Sequence, residues 1–119
     1  MKKILVVEDN PLNRDLLVQL LEDDFEVIEA EDGLVGVEQA LACSPDLVLM
    51  DMSMPRMDGW EATEKLRSLD NTRHLPIIAL TAHAVKGDRE RAMNAGCNEY
   101  LSKPVDEDKL FALIEKLLG

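Results

Sequence analysis

Short apolar runs alternate with segments of helical period along the whole chain, and that alternation restricts the fold more than any single motif does. Ile4–Val7, Phe25–Ala30, Leu47–Met50, Ile77–Leu80 and Glu99–Leu101 read as five strands. The first, third and fourth are unbroken apolar runs, the pattern of parallel strands covered on both faces. The segments between them carry helix signals. Asn10 offers a side-chain cap with Pro11 at the first helical position, where a missing N–H costs nothing. Leu12, Leu16, Leu17, Leu20 and Leu21 then fall on one face, as in a helix that lays an apolar stripe on a core. Asp32-Gly33 and Asp58-Gly59 look like the starts of the second and third helices, with Glu61 at a capping-box position. Gly96 suits the left-handed position that ends the fourth. Asp106 opens a fifth, whose Leu110, Leu113, Ile114 and Leu117 form an apolar stripe.

Five βα units with short connections predict an α/β fold, a parallel sheet with helices on both faces. The 119 residues are expected to form one domain spanning 1–119, with no linker and no output domain. Doubly wound sheets bind ligands outside the carboxyl ends of their strands, at the switch point in strand order. The residues at those ends are therefore the ones to read for chemistry.

Composition narrows the partners. The formal charge is −11, from 13 basic and 24 acidic residues, with no basic run anywhere. Nucleic-acid binding depends on Lys and Arg neutralising phosphates, so direct contact with DNA is not expected. No apolar run approaches the roughly 18 residues of a membrane span. Met1 leads straight into Ile4–Val7 without a signal-peptide pattern. Cys43 and Cys97 form no C-x-x-C pair and read as buried, reduced thiols, which together with the charge points to a cytoplasmic protein.

The strand ends supply an informative set. Strand one ends in Glu8-Asp9, strand three in Asp51 and strand four in Thr81, while Lys103-Pro104 follows strand five. Each taken singly has an ordinary reading: an acid as a helix cap, a threonine in a turn, a Lys-Pro in a solvated loop. Together, in a parallel sheet, they gather on one edge. Three crowded carboxylates repel, so a pKa rises or a cation neutralises them. Hard oxygen ligands with no Cys or His beside them suit Mg²⁺, which keeps several waters and leaves room for a phosphate oxygen. An aspartate nucleophile there could form an acyl phosphate. The metal and Lys103 would stabilise charge on the phosphoryl oxygens, and Thr81 could donate to one of them.

At these residues the chain closely resembles the receiver domain of two-component response regulators. The matching stretches are Ile4–Asn10 (ILVVEDN), Pro45–Gly59 (PDLVLMDMSMPRMDG), Pro76–Ala82 (PIIALTA) and Ala95–Pro104 (AGCNEYLSKP). The stretch from Thr81 to Pro104 looks most like single-domain regulators of the DivK kind and receivers attached to hybrid kinases. The resemblance implies the flavodoxin-like, CheY-like three-layer fold with strand order 2-1-3-4-5. It implies that Asp51 is the phosphoacceptor. Glu8, Asp9, Asp51 and the backbone carbonyl of Ser53 would hold Mg²⁺, with Mn²⁺ as a substitute. Lys103 would bind the phosphate, and the Lys103–Pro104 bond would be cis. Thr81 and Tyr100 would be the switch pair that alters the face of helix four, strand five and helix five. The implied phosphoryl donor is a histidine kinase or histidine phosphotransfer protein, and the implied output is a contact with a downstream protein. The domain would be a monomer or weak dimer, with no catalysis beyond its own phosphorylation and dephosphorylation. Ser53 and His83, two residues beyond Asp51 and Thr81, would flank the water access of the expected phosphate, and the small Ala82 should leave its path open.

Other features carry less. His74 and His83 have no Cys or second His at ligand spacing and read as solvated loop residues. Met50, Met52, Met54 and Met57 read as core or loop packing, as does Trp60 at the start of helix three. A Mg²⁺-dependent aspartyl phosphohydrolase is the competing function. Such enzymes place a second Asp two positions after the nucleophile, where this chain has Ser53. A flavodoxin needs a hydroxyl- or glycine-rich phosphate loop after strand one, where Glu8-Asp9-Asn10-Pro11 would repel an anionic cofactor. A pure interaction module that had lost phosphorylation would not need the complete set of Glu8, Asp9, Asp51, Thr81 and Lys103.

Overall fold

The computed structural model describes residues 1–52, 54, 57–81 and 88–119. Strands β1 (Lys3–Val7), β2 (Glu26–Ala30), β3 (Leu47–Asp51), β4 (Ile77–Thr81) and β5 (Glu99–Ser102) alternate with helices α1 (Pro11–Leu21), α2 (Gly33–Cys43), α3 (Gly59–Ser68), α4 (Asp88–Ala95) and α5 (Glu107–Leu118). All four strand pairings are parallel, in the order β2-β1-β3-β4-β5. This is the fold and strand order expected, with β1 and β3 meeting at the switch point.

Alternation along each strand sorts the core into two layers. Leu5 and Val7, Val48 and Met50, and Ile77 and Ala79 point to one face, where Val37 and Ala40 of α2, Ala62 and Leu66 of α3 and Ala92 of α4 cover them. Ile4 and Val6, Leu47 and Leu49, and Ile78 and Leu80 point to the other, under Leu17 and Leu21 of α1 and Leu110 and Ile114 of α5. β1, β3 and β4 are therefore apolar at nearly every position because neither face meets water.

The expected helix starts are all present. Asn10 Oδ1 accepts from the N–H groups of Leu12 and Asn13 at 2.9 and 3.2 Å. Asp32, Asp58 and Asp106 each accept from an N–H three residues on. Gly96 ends α4 at φ 114°, where a Cβ would also press on the Arg67 side chain. That arginine donates to the Gly96 carbonyl and to Asn98 Oδ1, both at 2.8 Å, and ties α3 to the turn before β5.

Two expectations need correction. Phe25 precedes β2: its N–H donates to the Leu21 carbonyl, so it closes the end of α1, and its ring stacks on Phe111 of α5. The leucine face of α1 is only partly buried. Leu17 and Leu21 are covered, whereas Leu12 is 74% and Leu16 60% exposed. The stripe is wider than the strip of sheet that α1 covers.

Met50 and Met52 are buried, and Met54, Met57 and Trp60 pack against the same cluster, as the packing reading holds. Both cysteines are free; Cys97 is buried and Cys43 half-buried. His74 is exposed. Among the described residues, no helix is long and apolar enough to cross a membrane.

Candidate functional site

Parallel pairing in register brings the strand ends to one edge. Val7 lies opposite Met50 and Ala30, Asp51 opposite Leu80, and Thr81 opposite Ser102. The residues just past Val7 and Ser102, and those at the ends of β3 and β4, therefore meet. Glu8, Asp9 and Asp51 each offer a carboxylate oxygen, and these three atoms lie within 4.8 Å of one another. Glu8 and Asp51 are buried, while Asp9 is exposed. Thr81 is buried beside them in β4.

Lys103 closes the cluster. Its Nζ donates to Glu8 Oε1 at 2.6 Å and lies 3.3 Å from Asp51 Oδ2. Its own N–H donates to the Thr81 carbonyl at 2.7 Å, which fixes the start of the β5–α5 connection against the end of β4. The Lys103–Pro104 peptide bond is cis, as expected. Tyr100 is half-buried, opposite Ala79 in the β4–β5 register, and packs on the α2–α3–α4 side of the sheet. Ser53, Ala82 and His83, named as metal-site and phosphate-flanking residues, lie outside the described residues.

The charges are mutually adjusted. Burial penalises the Glu8 carboxylate, but hydrogen bonds with Asp51, Lys103 and the Asn10 N–H, together with the Lys103 charge, outweigh that cost. Its pKa falls below the usual carboxylate value. Burial likewise disfavours the Lys103 ammonium, yet the Glu8 bond and the Asp51 charge raise its pKa above the ordinary lysine value. Lys103 thus brings a positive charge to the rim of the three-acid cluster.

Glycine shapes the same edge. A Cβ on Gly59, the first residue of α3, would overlap the Asp51 carbonyl, so only glycine lets α3 start this close to the end of β3. Trp60 follows directly, with the Arg91 guanidinium of α4 stacked 4.2 Å from its ring centroid.

Two features have no plain sequence signal. A groove of about 730 Å³ beside the cluster is lined by Leu16, Leu17 and Leu20 of α1 and by Lys103, Pro104 and Val105. Helical period marks these leucines as apolar without telling which of them the fold leaves open. Arg14, four residues after the α1 cap, donates to the Glu8 carbonyl at 2.9 Å. In the sequence it reads as an ordinary solvated helix residue.

Comparison with known proteins agrees with this geometry. Residues 4–115 match the response regulator receiver domain family. The chain is 41% identical to the polar-differentiation response regulator DivK of Brucella anthropi, covering 99% of this chain and 97% of that protein. The DivK of Brucella ovis is 40% identical over the same span. Among solved structures, the receiver domain of the sensor histidine kinase PA1611 of Pseudomonas aeruginosa, with a magnesium ion coordinated in its active-site cleft, superposes with a TM-score of 0.92. It is 39% identical over 99% of this chain and 98% of that one. The chemotaxis protein CheY4 of Vibrio cholerae also gives 0.92, at 27% identity over 99% of both chains. The chain belongs to the response regulator receiver domain family, the signalling module of two-component systems.

Proposed function

We propose that this domain accepts a phosphoryl group on Asp51 from a phosphohistidine donor, in a reaction that needs Mg²⁺. The observation that carries the reading is the convergence of the Glu8, Asp9 and Asp51 oxygens within 4.8 Å, with Lys103 Nζ at 2.6 Å from Glu8 and 3.3 Å from Asp51. The donor set is all hard oxygen, which suits Mg²⁺ with Mn²⁺ as a substitute. Glu8, Asp9, Asp51 and the Ser53 carbonyl are the residues assigned to hold it. When bound, the metal offsets the charge of the acids and of the incoming phosphoryl oxygens.

The chain's own residues then have distinct parts. An Asp51 carboxylate oxygen attacks phosphorus; the oxygen–phosphorus bond forms as the phosphorus–nitrogen bond of the donor breaks, and the departing imidazole takes a proton from solvent. Lys103 is held at the rim by Glu8 and can pair with the new phosphate. Thr81 can turn its hydroxyl to a phosphoryl oxygen. With Tyr100 it forms the proposed switch pair that alters the α4–β5–α5 face for a downstream protein. The domain is a signalling acceptor and catalyses only its own phosphorylation and dephosphorylation, which suits a cytoplasmic, monomeric or weakly dimeric regulator.

The groove beside α1 gives the donor a place to lie. Leu16 and Leu20 present apolar surface in a groove that Glu8 and Lys103 also line, so a helix carrying a phosphohistidine could seat its apolar face there with the phosphoryl group near Asp51.

The test is intact mass after incubation with acetyl phosphate and Mg²⁺. Wild type should gain one phosphoryl group and Asp51→Asn none. A labelled Asn variant would move the acceptor elsewhere, and steady release of free phosphate from many substrate equivalents would favour the phosphohydrolase.

A further inference from the structure

The Arg14 guanidinium grips the peptide that joins the two acids at the end of β1. One terminal nitrogen donates to the Glu8 carbonyl oxygen at 2.9 Å, and Nε donates to Glu29 Oε1 at 3.3 Å. The Arg14 side chain is only 20% exposed. On the other side of the same residue, the Glu8 N–H donates to the Ala30 carbonyl at 3.0 Å. The residue just past β1 therefore gives its N–H to β2 and its carbonyl to a side chain of α1.

That carbonyl has leverage over Asp9. A peptide unit is a rigid plane, and the plane containing the Glu8 oxygen also contains the Asp9 nitrogen and Cα. Fixing the oxygen therefore fixes where the Asp9 Cα lies and leaves the Asp9 φ as the backbone rotation that sets how its side chain departs. Glu8 has side-chain anchors of its own, in Lys103 and the Asn10 N–H. Asp9 is exposed, so its direction depends more on the backbone. The bond from Arg14 has a charged donor, which makes it stronger than a neutral one.

We propose that Arg14 is a positioning residue: by holding the Glu8 carbonyl it orients Asp9 and so sets the affinity of the acidic cluster for a divalent metal. The inference rests on the metal reading of Glu8, Asp9 and Asp51 given above. It also makes a claim of sign. Removing a positive charge near an anionic site should, by Coulomb's law alone, tighten binding of a cation. Loss of ligand orientation should weaken it, and outer-shell groups that orient ligands typically matter by about 10- to 100-fold in metal affinity.

The experiment is a Mg²⁺ titration of the full chain, read by thermal unfolding and by Trp60 fluorescence, for wild type, Arg14→Ala and Arg14→Lys. Arg14→Ala should weaken Mg²⁺ binding by about 10-fold or more. Arg14→Lys, which keeps one donor but loses the fork to Glu29, should fall between the two and serves alone if the alanine variant does not fold. Unchanged or tighter binding in these variants, with melting lowered equally in Mg²⁺ and in chelator, would make Arg14 merely structural and overturn the proposal. No Mg²⁺ response in wild type would instead overturn the metal reading on which it stands.

Discussion

Lys103 Nζ sits 2.6 Å from Glu8 Oε1 and 3.3 Å from Asp51 Oδ2, so one ammonium from the end of β5 joins carboxylates from the ends of β1 and β3. Glu8 is 1% exposed and Lys103 20%, which makes this a largely desolvated contact. Lys103→Met should cost about 2–3 kcal/mol near neutral pH, somewhat less than for a fully buried pair because part of the lysine stays in water. The pH dependence has a definite sign. Glu8 has a lowered pKa in the folded state, so its stabilisation is present above the ordinary value of 4.5 and is lost as pH falls through that value and below. Urea unfolding should show the gap between wild type and variant narrowing in acid; a gap that widens there would mean Glu8 is not the partner that matters.

The second prediction concerns Asp51 without reference to phosphoryl transfer. Asp51→Asn removes one of three carboxylates clustered within 4.8 Å and leaves the shorter Lys103–Glu8 bond in place. In chelator the variant should be more stable than wild type by about 1 kcal/mol, the equivalent of somewhat under one pKa unit of relieved repulsion. In millimolar Mg²⁺ the order should shrink or invert, because a ligand that binds only the native state stabilises it. Thermal melts in both conditions check it, and an equal Mg²⁺ response in the two proteins would remove Asp51 from the metal site.

Much of this was legible in the sequence because the decisive signals were local or periodic. Unbroken apolar runs identified the buried strands, and Asn10, Asp32, Asp58 and Asp106 marked helix starts that the structure places at the same residues. Parallel topology then forced Glu8, Asp51 and Thr81 to one edge. Strand order itself came through the family resemblance, since periodicity does not encode which strand neighbours which. What stayed hidden was tertiary. Helical period put five leucines of α1 on one face, but which of them meets the sheet depends on how the helix lies across it. The Arg14 bond to the Glu8 carbonyl joins a helix side chain to the backbone past β1 outside any capping pattern, and it depends on how α1 lies against the sheet.

Cys97 offers a third prediction. It is 5% exposed, with Thr63 Oγ1 at 3.8 Å from its sulfur, and burial pushes its thiol up to about 11 from an ordinary 9.0. A raised folded-state pKa means the stabilisation is complete below pH 9.0 and is lost as pH rises toward about 11. Wild type should therefore lose up to about 2–3 kcal/mol across that interval, at 1.36 kcal/mol per unit. Cys97→Ala should lack this loss. Thiol titration with a chromogenic disulfide below pH 9.0 should label the half-buried Cys43 and spare Cys97. Equal labelling of both thiols in the native state would contradict the burial argument.

Leu16 separates the proposed docking surface from the chemistry. It is 60% exposed and lines the groove together with Lys103, so it carries little of the fold. Leu16→Ala should change stability by no more than about 0.5 kcal/mol, as surface substitutions usually do. If the groove seats an apolar helix of a phosphohistidine donor, the same change should slow transfer from that protein by about tenfold, the equivalent of about 1.4 kcal/mol at an anchoring contact. Acetyl phosphate needs no groove, and labelling by it should fall by much less. The ratio of the two rates is the measurement, because a general disturbance of the Glu8–Asp51–Lys103 cluster would lower both together. An unchanged ratio would place the donor on another face of the domain.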